Sequence, residues 1–211
     1  LCSLQHRGQE SAGMSISKDE KIRTYKGQGL VSDVFFETTL KETVGNVGIG
    51  HVRYSTAGGS CMANAQPLQR HSKLGDIAVA HNGNLINPTI IKELLEDAGV
   101  VFQTTTDSEV IINMMSRRSK NGLKATLVDT ISAIKGSFAL VIVVQNKLIG
   151  IRDPYGIRPL CMGKLEDGSI VLASESCALD SVGAELIRDI NAGEIVIIDE
   201  NGLEAINYNE Q

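Results

Sequence analysis

The sequence lacks several patterns that would assign it to a well-marked class of protein. Only four of its 211 residues are cysteines, and no two of these are spaced as Cys-x-x-Cys. A disulfide framework or a metal site is therefore not expected, and free thiols fit a reducing cytoplasm. The formal net charge is −5, which argues against a nucleic-acid partner. The longest apolar run, Phe138–Val144, is far too short to span a membrane.

No repeat and no Pro/Gly/Ser-rich linker divides the chain, and 42% of its residues are hydrophobic. This length and composition are typical of one globular domain with its own core. The chain begins at Leu1 rather than at a methionine, and a polar, motif-like stretch follows at once. We therefore expect it to be a fragment of a larger protein.

The order of predicted elements indicates an α+β domain. Helices are predicted from Asn87, from a capping box at Thr106, and over Leu123–Ile134. In the first of them, Ile90, Ile91, Leu94, Leu95 and Ala98 lie on one predicted apolar face. Short runs rich in valine and isoleucine predict strands at 12–17, 22–26, 47–53, 77–81, 137–144, 147–152, 170–174 and 194–198.

The segment GHVRYSTAGG, residues 50–59, ends a predicted strand with an arginine and continues as a glycine- and serine-rich loop. The guanidinium of Arg53 could pair bidentately with a ligand carboxylate, and the loop could close over that ligand. The plainer interpretation is a surface arginine beside a flexible loop.

The segment AHNGNL, residues 80–85, contains the Asn-Gly pair that favours a tight type I′ turn between two strands. A functional interpretation gives the side-chain amide of Asn82 and the backbone N–H of Gly83 the role of donors to a developing oxyanion. The two interpretations are compatible, because a tight turn could hold both donors in place.

The segment TTTDSEV, residues 104–110, places Asp107 at the start of a predicted helix. An acidic residue there could simply interact with the helix dipole, or it could hold an ammonium group. RDPYGIRPL, residues 152–160, has two prolines and a glycine and predicts a rigid turn between strands, which we interpret as structural.

The order of these segments, with QHRGQESAG at residues 5–13 and ASES at 173–176, resembles the class II glutamine amidotransferases over essentially the whole chain. Within that class, QHRGQ and RDPYGIRPL are similar to the amidophosphoribosyltransferases. The resemblance implies a four-layer αββα sandwich of two antiparallel sheets, the N-terminal-nucleophile hydrolase fold. It also implies hydrolysis of glutamine to supply ammonia, which converts phosphoribosyl pyrophosphate to phosphoribosylamine in purine synthesis.

The same resemblance assigns roles to particular residues. Arg53 would bind the α-carboxylate of glutamine with help from Thr56, and Asp107 would bind the α-ammonium group. Asn82 and the Gly83 N–H would form the oxyanion hole. The loop from about Tyr54 to Ala63 would close over the substrate.

One departure from the family pattern concerns the nucleophile. In the family it is a cysteine at the mature N-terminus, which uses its own α-amine as general base and is followed by glycine. Cys2 is bonded to Leu1 and followed by Ser3, so we interpret it as a small helical residue. Cys61 lies in the predicted glutamine loop, where its modification could disturb closure. The fragment alone is therefore predicted to be inactive.

The resemblance also implies partners. They are glutamine, the phosphoribosyltransferase domain expected after Gln211, and other copies in a homo-oligomer. No cofactor is expected within this chain, whereas Mg²⁺ is expected for the phosphoribosyltransferase domain. Two alternatives stay open: the glutaminase domain of a sugar-phosphate amidotransferase, and a module that binds glutamine without hydrolysing it.

Overall fold

The computed structural model describes residues 1–55, 59–117 and 121–209, except for the side chain of Glu42. The strands within these ranges are β1 (Ser11–Lys18), β2 (Lys21–Gln28), β3 (Val47–Arg53), β4 (Leu68–Ser72), β5 (Gly75–Leu85), β6 (Gly136–Val144), β7 (Lys147–Arg152), β8 (Cys161–Lys164), β9 (Ile170–Ala173), β10 (Glu185–Asp189), β11 (Glu194–Asp199) and β12 (Gly202–Asn207). The α-helices there are α1 (Val31–Val34), α2 (Glu37–Glu42), α3 (Pro88–Asp97), α4 (Ser108–Arg117), α5 (Leu123–Ala133) and α6 (Ser176–Asp180). Short 3₁₀ helices cover Cys2–Arg7 and Met62–Asn64.

The strands form one large sheet and two small ones. The large sheet has the order β12-β11-β7-β6-β5-β4, and the small sheets have the orders β2-β1-β3 and β10-β8-β9. Every pairing of neighbouring strands is antiparallel. Short turns join β6 to β7 and β11 to β12, as the sequence predicted.

The large sheet is covered on both faces, and strand β5 illustrates how. Ile77 and Val79 point into a core shared with α3, α4 and α5. Ala78 and Ala80 point the other way, into a core that includes Ile49 of β3. Successive side chains of a strand face opposite sides of the sheet, so one strand serves two cores.

The small sheets have their own outer covering of helices. Helix α1 packs on β1 and β3, and α6 packs on β8 and β9. The succession of layers is therefore helices, large sheet, small sheets, helices. The predicted α+β fold with a four-layer αββα sandwich is confirmed.

Two details of the predicted helices are wrong. Helix α3 begins after Asn87 as expected, but Ile90 and Leu94 are 63% and 64% exposed, because only Ile91 and Leu95 face the sheet. The capping box at Thr106 is not formed. The Glu109 carboxylate accepts from other backbone N–H groups instead, and α4 starts at Ser108.

The prediction of a tight turn at Asn82 and Gly83 is also wrong. Both residues lie within β5, opposite Ala139 and Phe138 of β6. Gly83 has φ +150°, and a Cβ atom there would lie 2.0 Å from the Ser137 carbonyl oxygen. Glycine is therefore required at this position by the close approach of β6, and pairing between strands prevails over the local turn preference.

Candidate functional site

Four of the five predicted site residues line one cavity. Arg53, Asn82, Gly83 and Asp107 contribute to a cavity of about 270 Å³ beside the ends of β3 and β5. Thr56 lies outside the described residues. The volume is near the lower end of the range of about 300–1,000 Å³ for small-molecule sites, which suits a ligand of amino-acid size.

Arg53 reaches the cavity from the last position of β3, and its side chain is only 5% exposed. Its Nη1 atom lies 3.4 Å from Glu10 Oε2 and 3.4 Å from the Gly59 carbonyl oxygen. The Ser55 hydroxyl donates to Glu10 Oε1 at 2.7 Å. This hydrogen bond is the main cause that lowers the pKa of Glu10, and the charge of Arg53 adds to it. The guanidinium therefore has a charged neighbour before any ligand binds.

Asp107 lies just before the first residue of α4, and its side chain is 9% exposed. Its Oδ2 atom accepts from the Leu85 backbone N–H at 2.8 Å. Burial by itself would raise the pKa of Asp107, but the hydrogen bond and charge of His81 and the Leu85 N–H outweigh it. The net effect is a lowered pKa, which keeps the carboxylate charged and able to bind a cation.

The side-chain amide of Asn82 has a donor that is not used within the part of the protein that the structure describes. Its Nδ2 atom is buried and has no hydrogen-bond partner among the described residues. A buried amide donor without a partner costs free energy, and because Asn82 lines the cavity, an acceptor on a bound ligand could satisfy this one. This geometry suits the oxyanion role predicted for Asn82.

The structure brings further residues to the cavity that the sequence interpretation did not single out. They are the three basic or imidazole side chains Arg7, His51 and His81, the polar residues Gln66 and Ser108, and Arg158 from the turn that we had interpreted as structural. His51 is two residues before Arg53, and His81 directly precedes Asn82. Their closeness in sequence to predicted site residues is the signal by which both histidines could have been found.

His51 contacts the backbone of His81 and is neutral in the folded chain. Its Nε2 atom lies 3.2 Å from the carbonyl oxygen of His81, so that nitrogen carries the proton and donates it. Burial, chiefly, and the neighbouring His81 lower the pKa of His51 to about 4.

The turn at residues 153–158 is held rigid by Asp153, which is fully buried. Its carboxylate accepts from the backbone N–H groups of Tyr155, Ile157 and Arg158. The structural role that the sequence predicted for the turn agrees with these contacts, and the turn also places Arg158 at the cavity wall.

None of the four cysteines lines the cavity as the structure describes it. Cys2, Cys61 and Cys177 are exposed, and Cys161 is buried under α6. In the described ranges, no group of three or more histidine, cysteine or acidic side chains could hold a metal ion. No helix in those ranges is both long and apolar enough to cross a membrane.

Comparison with known proteins assigns the chain to a family. Residues 51–181 match the family model described as a glutamine amidotransferase domain, and the chain belongs to that family. Among curated proteins it is 44% identical to the amidophosphoribosyltransferase of Bacillus subtilis over 97% of this chain and 43% of the relative. It is 43% identical to amidophosphoribosyltransferase 2, chloroplastic, of Arabidopsis thaliana, over 96% of this chain and 36% of the relative.

A solved structure shares the fold. It is the glutamine phosphoribosylpyrophosphate amidotransferase of B. subtilis complexed with ADP and GMP, with a TM-score of 0.90 and 42% identity. The match covers 98% of this chain and 44% of that one. The chain thus spans well under half the length of the relatives it matches.

Proposed function

We propose that this chain is the glutaminase portion of an amidophosphoribosyltransferase, which releases ammonia from glutamine for transfer to phosphoribosyl pyrophosphate in purine synthesis. The observation that carries the proposal is the convergence of Arg53, Asn82 and Asp107 on one cavity. Glutamine has one carboxylate, one ammonium group and one reacting amide, and these three side chains offer a partner for each.

In this proposal the α-carboxylate of glutamine binds the Arg53 guanidinium, with Thr56 assisting, and the α-ammonium group binds Asp107. The side-chain carbonyl then points toward Asn82 Nδ2 and the Gly83 N–H. As the thiolate of the nucleophile attacks that carbonyl carbon, its oxygen becomes an oxyanion, which the two donors stabilise. The α-amine passes the proton taken from the thiol to the amide nitrogen, which leaves as ammonia while a thioester forms, and water then hydrolyses the thioester to glutamate and the free thiol.

We further propose that the nucleophile is an N-terminal cysteine on a strand preceding Leu1. A groove between β3 and β9, the facing edges of the two small sheets, supports this. Gly48, Ile49 and Gly50 of β3 line one side of the groove, Ile170–Leu172 line the other, and Val141 and Leu148 form its floor. A strand laid there could pair with both edges and carry its first residue toward the cavity.

The wider assignments rest on the relatives. We propose that a phosphoribosyltransferase domain, which would need Mg²⁺, takes up the ammonia, and that the complete protein is a homo-oligomer. The relatives are amidophosphoribosyltransferases of more than twice this length, which supports the first part. The free cysteines suit a reducing compartment such as the cytoplasm.

The test is N-terminal sequencing and intact-mass measurement of the protein purified from its natural source, followed by assays of glutamate and phosphoribosylamine. We expect an N-terminal cysteine followed by glycine, a mass well above 22.6 kDa, and glutamine-dependent formation of both products. A native protein that begins at Leu1, binds glutamine and releases no glutamate would overturn the proposal in favour of a binding module.

A further inference from the structure

A buried cluster of side chains lies directly behind the proposed ammonium site. His81 is only 3% exposed, and its Nδ1 atom lies 3.1 Å from Ser108 Oγ and 3.6 Å from Asp107 Oδ1. Its backbone N–H donates to Gln66 Oε1 at 2.7 Å. Gln66 in turn donates to Ser108 Oγ at 3.1 Å. Gln66 thus contacts both the backbone of His81 and the serine that its ring touches.

The Nδ1 atom of His81 faces two oxygens, Ser108 Oγ at 3.1 Å and Asp107 Oδ1 at 3.6 Å. Of these two, the carboxylate oxygen can only accept a hydrogen bond. The other ring nitrogen, Nε2, is buried and has no partner among the described residues. His81 therefore presents Nδ1, rather than Nε2, to Ser108 and to the Asp107 carboxylate.

The two oxygens of Asp107 are consequently held by two groups of the same strand. Oδ1 faces the imidazole of His81, and Oδ2 accepts from the Leu85 N–H. Asn82, the proposed oxyanion donor, lies on that strand beside His81. Strand β5 therefore sets both the donor for the reacting amide and the orientation of the carboxylate for the α-ammonium group.

We propose that His81 is a positioning residue for substrate binding, which holds the Asp107 carboxylate in the orientation that receives the α-ammonium group of glutamine. This inference rests on the proposed function. The Nδ1 atom of His81 faces the Asp107 carboxylate, so loss of the imidazole weakens the binding of ligands that carry the α-ammonium group and leaves the chemistry at the side-chain amide intact.

The test compares His81→Leu and His81→Asn in the complete natural protein. Leucine fills similar space without a donor, whereas the asparagine amide places an N–H near the former Nδ1 position. We expect His81→Leu to raise KM for glutamine about tenfold with kcat changed less than about twofold, because the Asp107 carboxylate loses its imidazole neighbour. His81→Asn should recover most of that loss. His71→Leu is the matched control, because His71 Nδ1 pairs with Asp76 Oδ1 at 2.8 Å on the surface.

Two further measurements separate positioning from a general structural effect. For an analogue of glutamine without the α-amino group, KM should be the same in wild type and His81→Leu. In an Asp107→Asn background, which already lacks the charged carboxylate, His81→Leu should cause no further rise. If His81→Leu does not fold, as judged by circular dichroism, His81→Gln takes its place, since its amide reaches beyond the Nδ1 position.

The outcomes distinguish this inference from the proposed function. If Asp107→Asn raises KM strongly and His81→Leu does not, His81 has no positioning role although the glutaminase assignment stands. Equal losses for glutamine and the analogue, or a fall in kcat alone, would equally overturn the inference. If wild type itself releases no glutamate, the proposed function has failed instead.

Discussion

The close approach of β6 to Gly83 makes a quantitative prediction about stability. In Gly83→Ala the new Cβ atom would meet the Ser137 carbonyl oxygen at 2.0 Å and the Phe138 Cα atom at 2.8 Å. Both contacts are with backbone, so the two strands must separate locally. The alanine must also adopt φ +150°, a backbone angle that residues with a side chain rarely adopt.

The magnitude follows from three contributions. The unfavourable φ costs about 1–3 kcal/mol, and forcing packed strands apart costs a further 1–3 kcal/mol or so. Replacing glycine by alanine also lowers the conformational entropy of the unfolded chain, which stabilises the folded state by about 0.4–1 kcal/mol. We expect Gly83→Ala to lower the free energy of unfolding by about 3 kcal/mol.

Gly202→Ala is the matched control. Gly202 has φ +119°, but a Cβ atom there meets nothing within 4 Å. It therefore carries the cost of the backbone conformation without the clash, and we expect a loss of about 1 kcal/mol. Urea denaturation followed by far-ultraviolet circular dichroism measures both, since the chain has no tryptophan. Equal stabilities of the two variants, within about 0.5 kcal/mol, would refute the reasoning from close approach.

Three further predictions concern the cavity. In the complete protein, Asn82→Ala should lower kcat about 100- to 1000-fold with little change in KM, and a loss confined to KM would contradict the oxyanion role. Arg53→Lys should raise KM for glutamine at least about tenfold, because lysine cannot form the bidentate fork; an unchanged KM would remove Arg53 from the site. The pKa of His51 is about 4 in the folded chain, against about 6.5 for a free histidine. At a pH between these two values, the unfolded chain binds a proton that the folded chain does not. Stability should therefore fall as the pH is lowered through this window, and urea denaturation at pH 5 and pH 7 should show a smaller fall for His51→Gln; an equal fall would exclude His51 as its cause.

The sequence predicted best the strands with long runs of apolar, buried side chains. The bounds predicted for β3 and β7 agree with the structure residue for residue. Strands β4, β8, β10 and β12 were not predicted. The sequences of β4, β10 and β12 are largely polar or exposed, and β8 is buried but offers only two apolar residues, Cys161 and Met162. Such strands form by pairing with a partner, and a local pattern carries little information about that partner.

The candidate site was predicted as a set of separate motifs. The convergence of Arg53, Asn82, Gly83 and Asp107 could be expected only through the family resemblance, since they lie on two strands and a loop. Glu10 and His81 were not assigned, because their roles depend on contacts across 43 and 26 residues of sequence. The turn expected at Asn82 and Gly83 was wrong because a local preference was used where strand pairing decides.

The pairing of β5 with β6 also limits how this chain can change its length. The two strands pair continuously from Ile77 and Val144 to Leu85 and Gly136. Inserting or deleting one residue between Ile77 and Leu85 would exchange the two faces of the strand beyond that point. An insertion just before His81 would make His81 point where Asn82 points now, and one between Ile77 and Val79 would place these two residues on opposite faces. Length variants should therefore survive at open turns such as the one at Gly99, and segment 77–85 should keep its length.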